Sequence, residues 1–83
     1  MNRAPETMAS PAEELYDRAF ARMSEGRFQE ALDKLKRAVA LEPEHPKYAT
    51  ALAKLYDMLG EREKARALLA RAMELRRKWS RPS

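Results

Sequence analysis

Apolar residues return along this chain at spacings of three and four, in blocks broken at Gly26, at Pro43 to Pro46 and at Gly60, a pattern that predicts amphipathic helices. Ser10-Pro11-Ala12-Glu13 reads as a helix start, with the serine oxygen accepting from first-turn amides, proline at the first helical position and Glu13 reaching back to close a capping box. Leu15, Ala19, Phe20 and Met23 then mark one face of a helix that Gly26 ends by tolerating a left-handed backbone. A second helix is expected at about 28–41, burying Ala31, Leu35 and Ala38, with Leu32, Val39 and Leu41 flanking them. The third, about 46–59, begins at Pro46, where a missing amide proton costs nothing, and carries Tyr48, Ala49, Leu52, Leu55, Tyr56 and Leu59 as its apolar set. The fourth starts near Arg62 and runs through Ala65, Leu68, Leu69, Ala72, Met73 and Leu75 to about Lys78. Glu14–Arg18, Glu30–Lys34 and Asp33–Arg37 have the i,i+4 spacing of surface ion pairs.

The blocks are copies of one another. A shift of 34 residues lays Gly26 on Gly60, Ala31 on Ala65, Leu35 on Leu69, Arg37 on Arg71, Ala38 on Ala72 and Leu41 on Leu75. A fixed period of this length marks a helical array, in which each unit buries its apolar face against a neighbour. Ala31-x3-Leu35 with Pro43 in the first copy and Leu52-Ala53-x2-Tyr56 in the second complete the pattern, which resembles the tetratricopeptide repeat. It departs from that signature with Leu15 and Ala49 at the Trp position, Ala19 and Ala53 at the Gly position and Arg22 at the first Tyr position. The resemblance implies an all-α fold, two helix-turn-helix repeats at about 12–45 and 46–79, four antiparallel helices in a short α-solenoid. Residues 1–9 would be a flexible N-terminal arm, with Met8 its one sizeable apolar side chain, and 80–83 a basic tail.

Composition narrows the function. With 83 residues, 36% charged and 45% hydrophobic, 15 of them alanine, the chain suits one small helical domain with a charged surface. It has no cysteine, so neither disulfides nor thiolate ligands reinforce it. No run approaches the length of a membrane span and no apolar signal core opens the chain, so the expectation is a cytoplasmic protein. The net charge of +4 is local: residues 61–83 hold 8 Lys/Arg against 3 Glu, whereas the rest of the chain carries −1.

Catalysis needs a nucleophile, an acid–base pair, a metal or a phosphate cradle, and this chain offers one histidine and two glycines, both placed in turns. His45, between two prolines, reads as a solvated loop residue, and Glu13, Glu14, Glu61 and Glu63 are explained by helix starts. Neither an enzyme nor a cofactor is expected. Arg76-Arg77-Lys78-Trp79-Ser80-Arg81 mixes cations with an aromatic, as phosphate-contacting segments do, but the same cations suit a helix C-terminus, and nucleic-acid binding is not expected.

Two sets of residues point to contacts with proteins. Tyr16, Phe20 and Met23 form a second stripe on the first helix. In tetratricopeptide domains the first helix of each repeat lines a concave groove, and the resemblance places these three, with Lys47, Thr50, Lys54 and Asp57, on it. The stripe could equally be covered within the protein or by a second copy. Family members that clamp acidic tails use Lys and Asn where this chain has Tyr16 and Phe20, so the resemblance does not carry that specificity over. At the array ends, Arg18 and Arg22 stand where the second repeat has Leu52 and Tyr56, a polar cap, and Arg66 replaces Leu32. Leu68, Met73 and Leu75, with Trp79, have no following helix to cover them. The expectation is a protein-interaction adaptor or scaffold acting through its concave face, with structural self-assembly as the alternative, and a homodimer because two repeats fall short of the roughly three that usually suffice.

Overall fold

The computed structural model describes residues 10–79, with only the backbone of residue 79; the expectations for the 1–9 arm, the 80–83 tail, Met8, Ser80, Arg81 and the Trp79 side chain lie outside the described residues. Four helices follow one another: α1 (Pro11–Ser24), α2 (Phe28–Leu41), α3 (Pro46–Met58) and α4 (Arg62–Trp79). Ser10 caps α1 by accepting from the Glu13 amide at 3.0 Å. The other half of the expected capping box does not form, because the Glu13 carboxylate goes to Lys47 and Tyr48 instead.

Both intra-repeat turns have the same construction. Gly26 (φ 79°) and Gly60 (φ 85°) adopt the left-handed conformation, and the residue after each closes the turn, Arg27 N–H donating to the Arg22 carbonyl and Glu61 N–H to the Tyr56 carbonyl, both at 2.8 Å. So short a reversal folds α2 back along α1 and α4 back along α3, and α2 joins the two pairs by packing on α3. One core cluster draws on all four helices: Ala19 of α1, Ala31 and Leu35 of α2, Ala51, Leu52, Leu55 and Tyr56 of α3, and Ala65 of α4. Alanines at the crossings let the backbones approach closely, and Ala19, Ala31 and Ala53 are completely buried. A second cluster joins Ala12, Ala38 and Tyr48.

Several surface expectations change. Of the three i,i+4 pairs only Asp33–Arg37 forms (3.4 Å). Glu30 turns instead to Arg27 (3.0 Å) and Arg22 (3.3 Å), and these with Glu25 make an ion network across the first turn; Arg22 Nε meets Glu30 off the N–H direction, so that contact is an ion pair rather than a hydrogen bond. The Arg22 guanidinium is thus neutralised by carboxylates of its own repeat. Leu41, expected to flank the α2 core, is exposed.

On α4 the correction bears on function. Leu75 is not uncovered: it is only 4% exposed, sharing with Ala65, Leu68 and Ala72 the face turned toward α3. α4 runs back along α3, and its last turns, Leu75 among them, lie beside Glu44 in the turn that precedes α3. Leu68 is half-buried against the core, leaving Leu69 (42% exposed) and Met73 (63%) as the exposed large apolar side chains among the described residues of α4.

Candidate interaction surface

The resemblance put seven residues on one groove, and the structure gives them different settings. Tyr16 and Met23 are half-buried and packed against the core, so this part of the stripe is covered within the protein. Phe20 stays 43% exposed, with its ring edge-on to Tyr16 at a centroid distance of 4.7 Å. Lys54 and Asp57 are exposed at the far end of α3, where they border a cleft of about 320 Å³ between α3 and α4.

What braces the Phe20 end is an ion-pair and aromatic cluster joining α1 to α3. Lys47 Nζ donates to both Glu13 carboxylate oxygens at 2.9 Å, and the Tyr48 hydroxyl donates to Glu13 Oε1 at 3.0 Å. The ammonium lies 4.5 Å from the Tyr16 ring centroid, a cation–π contact, and Tyr16 meets Tyr48 at 5.6 Å, also edge-on. Thr50 donates to the Pro46 carbonyl at 2.8 Å, so its hydroxyl is committed to its own helix. His45, expected as a loop residue in solvent, is the α3 N-cap: it is half-buried, its Nδ1 accepts from the Lys47 amide at 3.2 Å, and its ring lies 4.7 Å from Tyr48.

These contacts set the electrostatics of the cluster. The Lys47 hydrogen bond holds the Glu13 carboxyl below the usual glutamate range, against the opposing effect of partial burial and with help from Tyr48. Lys47 is raised, chiefly by the same hydrogen bond, and the Tyr48 phenol is raised by burial first and by Glu13 second. Sequence reasoning assigned Glu13 to a helix start and Tyr48 to the core. The signal for their meeting was available, since Glu13 and Lys47 occupy equivalent places one 34-residue period apart, on neighbouring first helices.

Two further features complete the surface. An open apolar groove of about 450 Å³ lies between α2 and α4, floored by Leu52, Tyr56 and Leu68 and edged by Lys36 and Lys64. Arg76, Arg77 and Lys78 occupy the last turn of α4, where cations suit the helix dipole; Arg77 lies 3.9 Å from Glu74. Among the described residues no helix is long and apolar enough to cross a membrane.

A family model for the tetratricopeptide repeat matches residues 22–82. No curated protein matches the chain. Among solved structures, the chain named MamA MSR-1 C2 is 30% identical and superposes with a TM-score of 0.76, the match covering 83% of the present chain and 40% of that one. The present chain therefore spans well under half of that structure's length. Tetratricopeptide repeats are generally non-catalytic modules for protein interaction, and the helix pairs, the glycine turns and the period agree with that architecture. With the family model covering most of its length, this chain belongs to the tetratricopeptide repeat family.

Proposed function

We propose that the chain is a non-enzymatic adaptor or scaffold that holds a segment of a partner protein across the first helices of its two repeats. The observation that carries this reading is Phe20: a large apolar ring, 43% exposed, held edge-on by a tyrosine that is itself fixed by Lys47 and Tyr48. A pre-positioned aromatic loses little side-chain freedom when a partner covers it, and such residues anchor protein interfaces. Lys47, Thr50, Lys54 and Asp57 follow along α3 at helical spacing; Lys47 braces Tyr16 beside Phe20, and Lys54 and Asp57 extend the surface to the cleft at the far end of α3. The proposal includes a cytoplasmic location and no cofactor.

The test is affinity capture from native lysate with the wild-type chain and Phe20→Ala, read by mass spectrometry. The expected outcome is loss of co-purifying protein at unchanged helicity and solution mass; equal capture by the variant rejects the face. A second reading, self-assembly as a homodimer, is favoured by the exposure of Leu69 and Met73, and solution mass tests it.

A further inference from the structure

The cleft between α3 and α4 has a counterpart one period earlier. Its apolar positions Ala53, Ala65 and Leu69 correspond by the 34-residue shift to Ala19, Ala31 and Leu35, all completely buried. In the first repeat that place is filled: Leu52 and Tyr56 of α3 belong to the same core cluster as those three. In the second repeat no described element lies there, so Leu69 is 42% exposed where Leu35 is 0%, and Met73, one turn further on, is 63% exposed where its counterpart Val39 is packed against the core. The cleft is the seat of a first helix, without that helix among the described residues.

Its floor is conserved between the repeats, but its rim is not. Where the first repeat has Phe20, Met23, Phe28 and Leu32, the second has Lys54, Asp57, Arg62 and Arg66. Three of the four replacements are cationic, and no ion pair among the described residues occupies Lys54, Arg62 or Arg66, all exposed. An apolar floor edged by three cations against one carboxylate selects a helix with an apolar stripe flanked by carboxylates.

A second copy of this chain is the wrong occupant. Continuing the array head to tail would bring its α1 into the seat with Arg18 where α3 presents Leu52, setting a guanidinium against the Arg62 and Arg66 rim, while Arg22 is already held by Glu25 and Glu30 and adds no carboxylate for that rim. A two-fold pairing of the cleft with itself would oppose the same three cations. We propose that this seat docks an acidic amphipathic helix of another protein in the position that a third repeat's first helix would take. The inference rests on the interaction reading but uses a surface that does not include Phe20.

The test uses two labelled 18-residue helical peptides with the same leucine stripe, flanked by Glu in one and by Lys in the other, and fluorescence anisotropy with the 83-residue chain. The Glu-flanked peptide should bind and weaken with salt, and the Lys-flanked peptide should not bind. Arg62→Glu with Arg66→Glu should weaken the Glu-flanked peptide by about tenfold and admit the Lys-flanked one. Arg66→Leu, which copies Leu32 and keeps the helix, should reduce the preference without charge reversal. Phe20→Ala should leave peptide binding unchanged, so loss of the concave-face reading and loss of this one are separable. Equal binding of the two peptides, no binding of the Glu-flanked one, or indifference to the double reversal overturns the proposal; so does a chain dimer that the Glu-flanked peptide fails to dissociate.

Discussion

Glu13 carries the most consequential side-chain contacts of the described surface, since one carboxylate ties α1 to both Lys47 and Tyr48 of α3. Its helix-start position was legible, and Ser10 caps as expected, but a charged ammonium is a stronger partner than a backbone amide, and the carboxylate follows it. Both members are about one-third exposed, so the pair contributes on the order of 1 kcal/mol or less. Because the fold lowers the Glu13 pKa, its contribution is complete above the ordinary glutamate value and is lost as pH falls through the lowered value. Lys47 is raised, so its share is complete below the ordinary lysine value and is lost as pH rises through the raised one. The window is therefore about pH 5 to pH 10. Thermal melts followed by circular dichroism should find Glu13→Gln less stable than wild type at pH 7 and the gap closing towards pH 3; a gap that does not change with pH contradicts this account.

At the level of elements, α2 spans Phe28–Leu41 as its periodicity indicates, and α3 and α4 begin where Pro46 and the Gly60 turn dictate. Prolines and glycines act locally, through a missing amide proton and a permitted positive φ, so their effects can be read without knowing the fold. Burial along α4 is different. Leu75 aligns with Leu41 by the period, yet Leu41 is 55% exposed and Leu75 only 4%; Leu41 is the last residue of α2, whereas α4 continues through Leu75 to Trp79 and keeps it on the packed face. Leu75→Ala should therefore cost about 2–3 kcal/mol, whereas Met73→Ala should change stability by less than about 0.5 kcal/mol. Urea unfolding of the two variants checks this, and equal losses would mean that Met73 is covered in solution.

At the scale of the molecule, a core shared by Ala19, Leu35, Leu55 and Ala65 unites the two repeats, while Leu69 and Met73 are left exposed among the described residues. The self-assembly reading predicts a particle of about twice the 9.6 kDa chain mass, with a melting temperature that rises with concentration. Light scattering after size exclusion at micromolar concentration decides it, and a 9.6 kDa particle with concentration-independent melting removes that reading. The cations at the α3–α4 seat act against stacking of identical copies, and the burial of Leu75 leaves a smaller apolar patch than the sequence suggested.

The sequence by itself determined the helices, their turns and the repeat, because periodicity, proline and glycine act over one or two turns of chain and a copied pattern is visible in the letters. It also revealed the change from Leu32 to Arg66 between the two repeats. Only the tertiary structure decided which side chains of each amphipathic face were covered. The same letter is buried or bare according to what the neighbouring helix brings to it: Leu35 lies beneath α3 and Leu69 lies open, Tyr16 is held while Phe20 projects, and Glu13 finds Lys47 instead of its own first turn. The cover over Leu35 comes from α3 and the Glu13 contacts join residues 34 and 35 positions apart, so their geometry is fixed by helix packing rather than by local chain chemistry.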